Sequence, residues 1–141
     1  MINDGLKLKG KLSIALNDEV VQEVDNLVVT AGKGYVASRM KDASATAMSH
    51  MAIGSGTTNP AASDTALETE LGRVALTSTA VSNAVVTYTA TFAAGTGTGA
   101  VTEAGILNAS SGGTLLCRTE FSVVNKGSAD SMTITWTVTV S

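Results

Sequence analysis

From Ser131 to Val140 the chain alternates without a break. Met132, Ile134, Trp136, Val138 and Val140 fall on one side, and Ser131, Thr133, Thr135, Thr137 and Thr139 on the other. Successive side chains of a strand point to opposite faces, so this segment predicts a strand with one face in a core and one coated in hydroxyls. Threonine suits the outer face because it is β-branched yet uncharged. The same period opens the chain, where Leu6, Leu8, Leu12, Ile14 and Leu16 predict a first strand with Gly10 as a bulge. Asn17-Asp18 marks a turn, and Val20 to Thr30 forms a second apolar stretch interrupted near Asp25-Asn26. Between Ala31 and Met40 the period changes: Ala31, Tyr35, Val36 and Met40 are spaced like one face of a short helix, its start blurred by Gly32 and Gly34. Met48 to Ile53 predicts a third strand. The loop Thr57 to Asp64 holds the only proline, Pro60, and Ser63 or Asp64 is placed to cap a brief helical turn through Leu71. Arg73 to Ser82 and Ala84 to Ala93 read as a hairpin. Val101 to Asn108 and Thr114 to Val124 form a further pair around Ser110-Ser-Gly-Gly113.

Eight strands and one inserted short helix in a single domain, residues 1–141, predict an all-β, two-sheet antiparallel sandwich, and the strand count fits a jelly roll. A parallel α/β fold is disfavoured, because one helix cannot cover two faces of a sheet. Composition sharpens this. Only 15% of residues are charged, against 20 Thr and 14 Ser, so solubility rests on hydroxyls rather than ions. The formal net charge of −3 argues against general nucleic-acid binding. No apolar run approaches the roughly 18 residues of a membrane span. Met1-Ile-Asn-Asp-Gly5 lacks the start of a secretory signal.

The charge is unevenly placed. Six of the nine Lys and Arg residues lie in the first 41, and Lys7, Lys9 and Lys11 sit two apart, so a strand puts them on one face. That stripe protects a sheet edge from aggregation or docks on an acidic partner, with residues 1–11 as a partner-contacting strand or arm. Glu103, Arg73 and Arg118 interrupt apolar or hydroxyl-rich strands, and an unpaired buried charge is expensive. A Glu103–arginine pair across neighbouring strands is the expected resolution.

Candidate chemistry is thin. Gly95-Thr-Gly-Thr-Gly-Ala100 satisfies a dinucleotide pattern, but runs into a predicted strand where the pattern requires a helix. His50 is the only histidine and Cys117 the only cysteine, which reads as a small buried hydrophobe. Asp64, Glu68 and Glu70 do not follow the spacing of a calcium loop. The expectation is therefore no enzyme, no cofactor and no metal.

Two stretches resemble structural proteins of tailed bacteriophages. Met51-Ala-Ile-Gly-Ser-Gly-Thr-Thr-Asn-Pro60, then Asp64-Thr-Ala-Leu-Glu-Thr-Glu70 and Arg73, is similar to a strand end, capped turn and arginine found there. Thr102-Glu-Ala-Gly-Ile-Leu107, then Gly113-Thr-Leu-Leu-Cys-Arg118, Phe121 and Thr133-Ile-Thr-Trp-Thr-Val138, resembles the ending of tail-collar and fibre modules. A short β-domain without shaft or tip looks like a head decoration, or cement, protein. The resemblance implies a virion protein on the outer capsid surface, made in the bacterial cytoplasm, that clamps adjoining major capsid subunits. Its implied partners are the major capsid protein and further copies of itself, a homodimer with a trimer as the rival; no nucleic acid or membrane is implied. A neck, collar or tail-fibre component is the alternative. A carbohydrate-binding sandwich is more remote, because Phe92, Phe121, Tyr35, Tyr88 and Trp136 are the only aromatics and two of them alternate inward.

Overall fold

The structure, a computed structural model, describes residues 5–41 and 45–141. Ten strands and one helix follow in the order β1 Leu8–Leu16, β2 Glu19–Asp25, β3 Leu27–Val28, α1 Thr30–Lys41, β4 His50–Gly54, β5 Glu70–Ala75, β6 Ser78–Ser82, β7 Val85–Phe92, β8 Gly99–Leu107, β9 Leu115–Lys126 and β10 Met132–Val140. They form two five-stranded antiparallel sheets. One has the order β2-β1-β10-β7-β6 and the other β3-β9-β8-β4-β5. The chain is an all-β sandwich with one short helix.

Alternation places the core as expected. Leu12, Ile14, Ala90, Phe92, Met132, Ile134 and Trp136 from the first sheet are fully buried against Met51, Ile53, Val101, Ala104, Ile106 and Cys117 from the second. Trp136 turns its indole Nε1–H to Asn26 Oδ1 at 2.9 Å, which satisfies the one polar group of the largest core side chain. The β1–β2 turn is tight because Asn17 and Asp18 both take left-handed backbone angles, φ 50° and 67°, which suit a two-residue hairpin. Lys126 is buried at the far end of β9, and its Nζ donates to the carbonyls of Ala93 (2.9 Å) and Asp130 (2.7 Å). It ties the end of β7 to the β9–β10 turn.

The structure corrects several details. In a jelly roll only one consecutive strand pair shares a sheet, whereas here β1–β2, β4–β5, β6–β7 and β8–β9 are all in-sheet hairpins. The jelly-roll order is therefore not the one formed. The two long stretches 20–30 and 73–82 each split and change sheets, which raises the strand count from eight to ten. Residues 64–69 form no helical turn, and β5 begins at Glu70. Gly10 is no bulge: it pairs in register with Val138, and the shift lies between Ile14 and Ala15. What Gly10 provides is space, since a Cβ there would sit 1.6 Å from Asn26 Oδ1, the acceptor of the tryptophan.

Residues 8–11 are part of β1, which lies between β2 and β10. Of the expected arm, residues 5–7 lead into that strand, and residues 1–4 lie outside the described residues.

Candidate functional site

Burying a glutamate inside a sandwich requires donors on every lone pair. Glu103 on β8 is fully buried, and its carboxylate is surrounded. Oε2 accepts from the backbone N–H of Gly56 at 2.7 Å and of Thr69 at 2.8 Å. Oε1 accepts from the N–H of Glu68 at 2.9 Å and from Arg118 on β9, whose Nε and Nη2 both lie at 3.0 Å. Arg118 then uses Nη1 for Asp64 Oδ2 (3.1 Å) and Nη2 for the carbonyl of Thr58 (3.0 Å). Thr102, beside Glu103, donates its hydroxyl to the Gly56 carbonyl at 2.7 Å. Burial alone would raise the Glu103 carboxyl, but the N–H groups of Thr69, Glu68 and Gly56 and the Arg118 guanidinium together hold it below its usual value of 4.5.

This cluster fastens the whole segment from Gly54 to Glu70 onto the second sheet. The segment carries little regular structure, so its backbone groups need partners from elsewhere. It also explains the glycines between β4 and the loop: a Cβ on Gly56 would stand 2.4 Å from Glu103 Oε2. Residues 54–70 and the 102–118 stretch, far apart in sequence, thus meet at one buried ion cluster. Sequence reasoning named Glu103 and Arg118 but missed that Glu103 is mostly held by main-chain donors. Gly-x-Gly facing Thr-Glu was the available signal.

Arg73 does not reach Glu103. It pairs with Glu70 three residues earlier, Nη2 to Oε1 at 2.7 Å, and Nη1 donates to the carbonyls of Ala109 and Gly112, both at 2.9 Å. It clamps the β8–β9 turn to β5. Glu68 accepts from the N–H of Thr57, and Asp64 from that of Ala61, so Asp64, Glu68 and Glu70 serve three separate contacts. His50 opens β4 with Nδ1 2.8 Å from the hydroxyl of Ser49. Cys117 is fully buried, and burial pushes its thiol well up. The glycine-rich 95–99 loop leads directly into β8. Of the aromatics, Tyr88, Phe92, Phe121 and Trp136 are buried in the core.

The broad feature left on the surface is the outer face of the first sheet. Pairing sets Thr133 opposite Thr91, Thr135 opposite Thr89 and Thr137 opposite Thr87, with Thr139 opposite Val85. Ser78, Ala80 and Ser82 of β6 continue those rows. Thr91 and Thr133 share a hydroxyl hydrogen bond at 3.0 Å. On the other side of β10, Lys9 stands opposite Thr139, Lys11 opposite Thr137 and Ser13 opposite Thr135. Asp25 and Glu23 of β2 lie beyond Lys11 and Ser13. The face is therefore divided. The rows across β10, β7 and β6 bear hydroxyls and small apolar groups, and the charges stand on β1 and β2. Lys7 is exposed just before β1, its backbone N–H donating to the Ser141 carbonyl at 2.6 Å and its own carbonyl accepting from the Ser141 N–H at 2.8 Å.

Among the described residues no helix is long and apolar enough to cross a membrane. Scans against protein-family models, curated proteins and solved structures returned no match to the chain.

Proposed function

We propose that this protein is a bacteriophage capsid decoration protein, which binds the outer surface of the head and clamps adjacent major capsid subunits. The observation that carries the reading is the divided outer face of the first sheet. Packing two proteins together removes water from every ion between them, and an unpaired ion loses more than it regains. A face of threonine, serine and alanine avoids that loss and still offers donors and acceptors. Lys9 and Lys11 along one margin suit orientation and encounter, the usual contribution of rim charges. A lattice of many identical sites then multiplies a modest single-site affinity.

The tightly fastened 54–70 segment supports the same role, because a clamp under load needs few loosely held loops. The resemblance of both sequence stretches to phage virion proteins points to this setting. The Thr133-Ile-Thr-Trp-Thr-Val138 ending also resembles collar and fibre modules, which favours a neck or tail component as the second reading. Copy number separates the two. On a stained gel of purified virions, a decoration protein stands near the major capsid protein in abundance. A band corresponding to a handful of copies per particle would select the neck or tail reading.

A further inference from the structure

Among the described residues, no strand covers the first sheet beside Leu8 at the amino-terminal end of β1. Lys7 and Ser141 exchange both backbone hydrogen bonds, so alternation makes Leu8 and Val140 a non-bonded pair. The Val140 N–H turns the other way, to the Ala84 carbonyl at 2.9 Å. The N–H and C=O of Leu8 therefore project away from β10, toward the side that β2 occupies further along. But β2 stops opposite Lys11, and its continuation gives one bond, Asn26 N–H to the Gly10 carbonyl at 3.1 Å, before crossing to the second sheet.

The space left beside Leu8 is a groove of about 690 Å³, walled by Asn26, Leu27 and Lys33. It adjoins a second groove of about 870 Å³ along α1, where Leu6, Val36 and Met40 supply an apolar floor. Leu6 and Met40 are 70% and 77% exposed, high values for such side chains. Lys7, Lys9, Lys11 and Lys33 line these two grooves, and Asp25 is the only acidic side chain among the described lining residues. Asn26 forms part of the groove wall, and its buried Nδ2 has no partner among the described residues.

We propose that this groove receives an extended acidic segment of a neighbouring virion protein, added as a strand beside Leu8. The backbone edge supplies main-chain hydrogen bonds, the apolar floor takes alternate side chains, and the four lysines take carboxylates on the intervening positions. The inference rests on the decoration reading for the partner's setting, but the recognition chemistry is set by this chain alone.

The test uses the full-length protein and a fluorescent peptide of alternating Glu and Val, read by anisotropy at low salt. Binding is expected, with slowed hydrogen exchange at the Leu8 amide. Methylating alternate peptide nitrogens, or introducing Lys9→Glu with Lys33→Glu, should each weaken it about tenfold or more, as loss of strand pairing or of rim charge requires. A Lys-Val peptide binding equally well would overturn the proposal. So would unchanged affinity for the methylated peptide, which would leave charge attraction alone. Self-association in the absence of peptide, lost in the double variant, would also overturn it by assigning the groove to a second copy. Peptide binding by a protein that never attaches to heads would leave the groove assignment standing and remove the decoration reading. Unimpaired head attachment by the double variant would do the reverse.

Discussion

Replacing Glu103 by glutamine keeps the volume of a fully buried side chain and removes only its charge and one acceptor. In either amide orientation the new NH₂ group faces donors. At the Oε2 position these are the N–H groups of Gly56 and Thr69, and at the Oε1 position those of Glu68 and Arg118. Each buried donor left unpaired costs about 1–3 kcal/mol. Arg118 also keeps its charge while losing its fully buried counter-ion, with only the partly exposed Asp64 remaining. Removing one member of a buried pair typically costs about 3–5 kcal/mol, and that is the expected loss here. With an unfolding entropy of about 0.3 kcal/mol/K for a chain this size, the melting temperature should fall by about 10–17 °C. Calorimetry or circular dichroism at neutral pH measures it. The sign with pH follows from the lowered carboxyl: its contribution is complete above 4.5 and is lost as pH falls through the lower folded value. The gap between wild type and Glu103→Gln should therefore close in acid. Glu70→Gln, at a pair whose carboxylate side chain is 35% exposed, should change stability by only about 0–1 kcal/mol. A Glu103→Gln protein melting within about 3 °C of wild type would refute the reasoning, because the cluster would then not be what fastens the loop.

Trp136→Ala should cost about 3–5 kcal/mol in a denaturant titration, since it empties the largest fully buried site in the core. Thr135→Arg, on the exposed hydroxyl face, should alter stability by less than about 1 kcal/mol yet abolish co-sedimentation with undecorated heads. Head attachment should weaken as salt rises if Lys7, Lys9 and Lys11 assist docking, and salt-independent attachment would restrict the contact to the uncharged rows.

The strands that alternate cleanly, β1, β7 and β10, were legible because one face is buried and the other is not, which is the condition under which period two carries information. The helix was legible from a change of period. The crossing between β5 and β6 was not, because hydroxyl and apolar residues continue from Arg73 to Ser82 while the chain passes from one sheet to the other. Strand order depends on contacts between distant segments, so periodicity offered no means of rejecting a jelly roll. Asp64 looked like a helix cap because its residue type and spacing suit one; Arg118, 54 positions away, takes its side chain instead. Paired charge was legible for Glu103 and Arg118 from the cost of burying either alone. Arg73 was misassigned because a nearer carboxylate and two loop carbonyls satisfy it. The hydroxyl face was half legible: the threonines of β10 were plain, but their alignment with those of β7 and the serines of β6 required the register.

Imaging particles purified from a host that expresses the labelled chain tests the proposed decoration role most directly. The account predicts density on the outside of the shell at every equivalent lattice position, with the threonine face of the first sheet turned toward the capsid. Label confined to a single vertex or the tail, or particles that lack the protein altogether, would contradict it.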